Sequence, residues 1–394
     1  MNKLILALLF LLMFAEIVPA QTVQKTMLRL PDTGQTSSYT NTFGEDSDFL
    51  INPPTLIDQG NGIVTDSVTG LLWQKVDGGE MSFENAVIYC NTLTLGGYSD
   101  WRLPNAHEAF SMLNLQNANP ALNTSMFTNT GAEYWWTSDR QANDSNKIWV
   151  TNSGGGIGNH LKTETISAGG NKKFHVRAVR YASSPQTFPS QFVDNGNGTV
   201  TDVLTQLIWQ KSSYSDTLTW EQSLAYADTL SLGGISEWRL PNIKELQSIN
   251  DEKRVNPSLN STVFSASNAR KYWSSTTLPN QTTKAWYLST QFGITTYDAK
   301  NFKHYVLCVS ANPNLAGIHD YPAVEPLVYP NPFHSALRIS QSKGSEMFVL
   351  TNSIGQIVYQ GKSLEDQDFS GLAKGVYVLC IIDNTVLVKK LIKE

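Results

Sequence analysis

Trp101-Arg102-Leu103-Pro104-Asn105 and Trp238-Arg239-Leu240-Pro241-Asn242 are the same pentapeptide, met twice in one chain of 394 residues. The surroundings repeat in the same order. Asn61-Gly62-Ile63-Val64-Thr65-Asp66 and Leu71-Leu72-Trp73-Gln74-Lys75 return as Asn197-Gly198-Thr199-Val200-Thr201-Asp202 and Leu207-Ile208-Trp209-Gln210-Lys211. Leu95-Gly96-Gly97 returns as Leu232-Gly233-Gly234, Trp136-Thr137-Ser138 as Trp273-Ser274-Ser275, and Trp149 as Trp286. A unit of about 120 residues can bury its own core, so the repeat predicts two folded modules rather than solenoid turns.

Each module reads as α+β. An Asn-Gly turn with alternating VTD and LLWQ runs predicts hairpins. Phe83, Ala86, Val87, Cys90 and Leu93 keep helical spacing, as do Trp220, Leu224, Ala227 and Leu230. Ser82 and Thr219 suit the N-caps, Thr219 with Gln222 forms a capping box, and the paired glycines end both helices. Second helices start at Asn105 and Asn242. Later strands hold Lys147–Val150 and Ala285–Leu288, and the final strands are Val176–Arg180 and Val306–Ser310. Eight of the ten Trp recur as pairs (73/209, 101/238, 136/273 and 149/286), which predicts core packing. Trp135 is unpaired. If Trp136 points inward, strand alternation turns Trp135 outward.

The ends carry other signals. Residues 1–20, MNKLILALLFLLMFAEIVPA, hold one Lys, an apolar run and a Val-Pro-Ala finish. This predicts a secretory signal peptide cleaved between Ala20 and Gln21. The run is too short to span a bilayer before Glu16 interrupts it, and no later stretch approaches spanning length. Beyond Ala316 short alternating strands separated by Gly, Asn, Ser and Asp predict a small all-β sandwich. The expected layout is a signal peptide (1–20), module one with its leader (21–182), a linker (183–190), module two (191–317), a linker (318–325) and the sandwich (326–394).

The terminal segments PNPF, NSIGQIVY, GLAKGVYVL and LVKKLIKE resemble the type A C-terminal sorting domain of the type IX secretion system. That resemblance implies export across two membranes, removal of residues 326–394 by the type IX machinery, and surface attachment or release. The modules resemble the Lcl C-terminal domain family, through the NGNGTVTD opening, the WRLPN centre with its Glu, the YWSS strand and the final strand. The likeness covers about 28–182, including the leader LPDTGQTSSYTNTFGEDSDFLINPP, and about 191–312. It implies a C-type-lectin-like fold, and the family's namesake is the carbohydrate-binding end of a collagen-like bacterial adhesin. In similar domains a helix Cys can pair with a final-strand Cys. Here Cys90 faces Ala178 and Cys308 faces Ala227, so two buried free thiols are expected rather than a Cys90–Cys308 bridge through exchanged strands.

Composition narrows the chemistry. The chain carries 29 Lys+Arg against 34 Asp+Glu, with no basic stripe, which argues against nucleic acid as a partner. Residues 57–182 hold nine basic against eleven acidic residues and 191–317 hold ten against ten, so polyanion binding is not expected either. Glu108 and Glu245 recur, but each stands at N3 of a capped helix, a structural place. His107 precedes Glu108 without HExxH, and Lys244 replaces it in copy two. Asp58-Gln-Gly-Asn-Gly and Asp194-Asn-Gly-Asn-Gly lack the closing Glu of a calcium loop. No catalytic residue, metal ligand or cofactor site is therefore assigned. The sequons Asp66-Ser67-Val68 and Asp216-Thr217-Leu218 are the better candidates for O-glycosylation; Asp228-Thr229-Leu230 falls on a predicted helix.

Recognition is expected in the loops where the copies differ. Trp149 to Val179 spans 30 positions against 23 from Trp286 to Val309, giving copy one a Gly-rich insertion over Gly154–Lys173. The candidate ligand-binding residues are Trp135, Asn159, His160, Lys162, Lys172 and Lys173 in copy one and Tyr297, Asp298, Lys300 and Lys303 in copy two. The expected function is that of a non-enzymatic, exported, adhesin-like protein binding a glycan or extracellular matrix. The alternatives are an enzyme using a reactive Cys and a structural surface-layer component.

Overall fold

The computed structural model describes residues 22–164, 174–265, 268–311, 328–339, 344, 346–382 and 386–394. Ala20, Gln21, Lys172 and Lys173 lie outside these residues. Module one follows β1 (Val23–Lys25), β2 (Leu56–Asp58), β3 (Ile63–Asp66), β4 (Leu71–Gln74), α1 (Phe83–Thr92), α2 (Ala106–Ser111), β5 (Tyr134–Gln141), β6 (Asp144–Asn152), β7 (Ile157–Leu161), β8 (Phe174–His175) and β9 (Val179–Tyr181). The final strand closes onto the opening hairpin in a sheet ordered β2-β3-β4-β9, and a second sheet runs β7-β6-β5-β8. After β10 (Gln186–Phe188), module two repeats the path as β11 (Phe192–Asp194), β12 (Thr199–Asp202), β13 (Leu207–Gln210), α3 (Trp220–Thr229), α4 (Ile243–Ser248), β14 (Lys271–Thr277), β15 (Lys284–Ser289), β16 (Ile294–Ala299) and β17 (Val309–Ala311). Its sheets are β11-β12-β13-β17 and β14-β15-β16. The molecule is β-rich, and its helices are short.

The helix ends obey their local chemistry. Ser82 and Thr219 cap α1 and α3 through the amides of Asn85 and Gln222. Asn105 and Asn242 form complete capping boxes with Glu108 and Glu245. Each glutamate also takes a bidentate arginine, Arg102 at 2.7 and 2.8 Å and Arg239 at 2.6 and 2.5 Å. The arginine comes from the repeated pentapeptide, so one local motif both starts the helix and ties it to the preceding turn.

All eight paired Trp are buried. So is Trp135, at 4% exposure, and this corrects the outward placement expected from alternation. The β5 strand is covered on both faces. Its second face meets the segment carrying Asp77, whose carboxylate accepts the Trp135 indole N–H at 3.2 Å. Trp135 is therefore not a stacking platform for a ligand.

The modules share a core. Phe110, Leu113, Leu115, Ala121, Trp149 and Ile157 of module one lie in one apolar cluster with Trp209, Leu246, Ile249, Tyr272, Trp286 and Leu307 of module two. The Gly-rich turn after β6 serves this contact. A Cβ on Gly155 would meet Leu115 at 2.6 Å, and one on Gly156 would meet the Thr295 carbonyl at 3.2 Å. The Ile157 amide donates to Thr295 at 2.9 Å. The stretch expected as a plain linker, 183–190, contains β10, which pairs antiparallel with β1.

The leader crosses to module two. Gln35 donates to and accepts from the Thr277 backbone, Thr40 bonds Glu221, and Phe49 lies under the Arg239 guanidinium at 5.3 Å. Asp46 accepts hydroxyl bonds from Thr33 and Thr276. Aligned positions 107 and 244 then reach across the interface in opposite directions. His107 pairs with Glu252 at 3.1 Å, and Lys244 donates to the carbonyls of Asp32 and Ser111.

The tail comprises β18 (Val328–Tyr329), β19 (Arg338–Ile339), β20 (Met347–Asn352), β21 (Ile357–Gly361), β22 (Gly375–Ile382) and β23 (Val386–Lys393). Its main sheet runs β21-β20-β22-β23, and its core is its own: Phe333, Leu337, Phe348, Leu350, Leu364, Phe369, Leu379 and Leu391.

Candidate functional site

At one end of β14 and β15 in module two the surface opens into a cleft of about 350 Å³ lined by Thr217, Ala269, Arg270, Lys271, Ser289, Gln291, Lys303, His304 and Tyr305. Three chain segments meet there. The first turns into α3 at Thr217, whose neighbour Leu218 bridges to His304. The second brings Arg270 and Lys271 to the start of β14, opposite Ser289 at the end of β15. The third approaches through the parallel bridge between Tyr272 and Tyr305.

Arg270 is the best anchored. Thr290 accepts its backbone N–H at 2.8 Å and donates both its amide and its hydroxyl to its carbonyl. The guanidinium lies over the Tyr305 ring at 4.3 Å and donates Nη1 to Ser213 at 2.6 Å. Lys271 is exposed, with its Nζ 4.9 Å from the centre of the Tyr287 ring and 3.9 Å from Asp298. Lys303 is exposed at the rim. His304 is buried between Trp273 and Tyr287, with Nδ1 2.7 Å from the Lys303 carbonyl and Nε2 3.4 Å from Asp298. Burial, helped by nearby Lys271, lowers the His304 pKa despite its bonds to Lys303 and Asp298. Its imidazole is neutral at physiological pH, so the charge of the cleft comes from Arg270, Lys271 and Lys303.

Of the sequence candidates, Lys303 lines this cleft and Asp298 stands behind it. Lys300 does not join them. Its ammonium lies 3.7 Å from the centre of the Trp220 ring, and burial lowers its pKa. Tyr297 packs edge-on against Trp286. In module one His160 leans on Tyr134 and pairs with Glu164, Lys162 pairs with Glu84, and Asn159 lies opposite Trp149 in the β6–β7 ladder. These three contact neighbouring side chains and strands of module one.

Sequence reasoning missed Arg270, Lys271, Ser289, Gln291, His304 and Tyr305. A signal was present in the aligned copies, where Arg270 and Lys271 stand opposite Glu133 and Tyr134, and Thr217 opposite Glu80. Arg270 and Lys271 thus lose their positive charge in module one, while Lys303 keeps a basic counterpart in Lys173. Of the glycosylation sequons, Ser67 is buried and Thr229 returns its hydroxyl to helix carbonyls, while Thr217 lines the cleft.

Module one instead holds an internal polar cluster. Asp77 accepts from Trp135 and Thr130 and pairs with His175 at 2.9 Å and Arg177 at 3.6 Å. Burial raises the Asp77 carboxyl, but the bonds from His175 and Thr130 and the Arg177 charge override it and hold the pKa down at about 2. Cys90 and Cys308 are free and lie in separate module cores, so no exchanged-strand bridge joins them. Burial pushes the Cys90 thiol up to about 12 and the Cys308 thiol up as well. Among the described residues no group of His, Cys, Asp and Glu is placed to hold a metal ion.

The Lcl C-terminal domain matches residues 62–180 and again residues 198–310. The chain belongs to that family. The secretion system C-terminal sorting domain matches residues 327–394. The protein is therefore secreted through the type IX machinery and attached at the cell surface. No helix among its described residues is long and apolar enough to cross a membrane. No curated protein matches the chain closely enough to count as a relative. A solved structure of PorZ, described as an essential bacterial surface component of the type-IX secretion system of Porphyromonas gingivalis, aligns over 66% of this Lcl chain at 12% identity and a TM-score of 0.16. The aligned part spans 30% of that chain, and so low a score carries nothing about fold or activity here.

Proposed function

We propose that this is a non-enzymatic, adhesin-like surface protein whose modules bind a glycan or extracellular matrix, module two through the cleft of Arg270, Lys271 and Tyr305. The closure of each module's final strand onto its opening hairpin, with two helices and a second sheet between, supports reading both as C-type-lectin-like. The observation that carries the binding role is the cleft itself: a concavity of about 350 Å³ with hydroxyl, amide, cationic and aromatic groups on a rigid sheet end. Small-ligand sites combine a concavity with a few placed polar groups of this kind. Catalysis through cysteine is disfavoured because a thiol near pKa 12 offers almost no thiolate at neutral pH. The test is binding of the purified mature chain to a broad glycan array and to immobilised matrix proteins. Retention that fails when Arg270 is changed supports this role; silence on both surfaces overturns it, and regular self-assembly without sugar dependence points to a structural surface-layer component.

A further inference from the structure

The balance of charge in the cleft narrows the class of sugar it would take. Resting on the glycan reading above, we propose that the module-two cleft binds a sugar acid, with the carboxylate held among Arg270, Lys271 and Lys303 and the ring hydroxyls facing Thr217, Ser289 and Gln291.

Three cations from two segments, Arg270 and Lys271 at the start of β14 and Lys303 before β17, line one concavity, although module two as a whole carries equal numbers of basic and acidic residues. Two carboxylates stand nearby, Asp298 in an ion pair with Lys271 at 3.9 Å and Asp216 accepting the Thr217 amide at 2.7 Å, which leaves the three cations in excess. Arg270 spends one donor on Ser213 and reaches the Tyr272 hydroxyl; the Tyr305 ring beneath it fixes the plane of its fork. A planar guanidinium held this way suits a planar carboxylate, which two parallel N–H groups can grip at once. Lys303, on the rim, adds a mobile charge. A neutral sugar would leave this excess of positive charge unanswered.

The volume suits a terminal sugar residue rather than a run of polymer, since ligand clefts of a few hundred Å³ enclose small molecules. The acid specificity belongs to module two: in module one Glu133 takes the place of the anchoring Arg270, Tyr134 that of Lys271 and Glu80 that of Thr217, and these carboxylates would repel the same ligand although Lys173 aligns with Lys303.

The experiment is titration of the full mature chain with glucuronate, N-acetylneuraminate, glucose and glucose 6-sulfate, followed by saturation-transfer NMR and calorimetry at two salt concentrations. Lys303→Gln tests the charge at an exposed position where unchanged melting temperature verifies the fold, and Arg270→Gln tests the anchor. Expected are binding of the two carboxylated sugars, a loss on the order of tenfold in Lys303→Gln, the scale of one charge-assisted hydrogen bond, a larger loss in Arg270→Gln, and weakening by salt. Glucose binding as tightly as glucuronate, unaffected by Lys303→Gln, would overturn the acid specificity while leaving the glycan reading intact. Glucose 6-sulfate matching glucuronate would show that charge alone is read and would also overturn it. Failure of every sugar here, with an empty array, removes the glycan reading as well.

Discussion

Asp46 sits buried between two threonine hydroxyls with other carboxylates nearby. Burial pushes its pKa up to about 7; the bonds from Thr276 and Thr33 pull it down, and Glu245 and Asp32 add to the rise. A carboxyl with a raised folded pKa contributes stability that is complete below its unfolded value near 3.8 and is lost as pH climbs through about 7. Asp46→Asn removes that loss while keeping an acceptor for both hydroxyls. Its stability relative to the parent is therefore expected to grow between pH 4 and pH 7 and then level off, measured by urea midpoints across pH. A difference that stays flat over that range would contradict the assignment. At the same scale, Cys90 and Cys308 are expected to resist iodoacetamide in the native chain. Unfolding should release three titratable thiols, with or without reductant.

The element-scale device is the Arg–Glu clasp on the capped helices. Arg239 and Glu245 are both nearly buried, at 7% side-chain exposure each, whereas Arg102 is 29% exposed beside a buried Glu108. Arg239→Met leaves Glu245 charged and unpaired in the interior, a loss of about 3–5 kcal/mol. Arg102→Met should lose less, because water reaches that side of the pair. Equal losses in denaturant melts would deny the role given to burial. The caps themselves could be read from Asn and Glu three positions apart, and the helices and hairpins from their periodicity, since all these signals are local. Trp135 could not be placed that way. Alternation says that it faces away from Trp136 but not that Asp77 and its neighbours cover that second face. The cleft was equally hidden, because Lys303 and Arg270 meet only through the packing of β14 against the segment before β17.

Across the whole molecule, the duplication produced mutual dependence. The pattern of apolar residues identified buried positions correctly but did not say whose core they enter, and Trp149 and Ile157 enter a cluster dominated by the other module. Module two made alone, residues 191–311, would bare the side of that cluster, and it is expected to aggregate or melt far below the intact pair in calorimetry. The sorting domain should melt as a separate transition, since its core draws on its own residues. The His107–Glu252 bridge adds a pH limb. Burial lowers the His107 pKa, but the charge and bond of Glu252 prevail and raise it to about 9. This contribution is complete below about pH 6.5 and disappears as pH rises through about 9. His107→Gln is expected to flatten the alkaline side of the stability profile between those values, without separating the modules.

The leader strap has a consequence for how the chain comes into being. Gln35, Asp46 and Phe49 leave the ribosome long before Thr276, Thr277 and Arg239, the residues on which they settle. Until the second half exists, the strap has no seat and the first half keeps an open flank. Completion is thus postponed to the end of translation, and the unfinished polypeptide depends on an escort or a delay before it reaches the exporter.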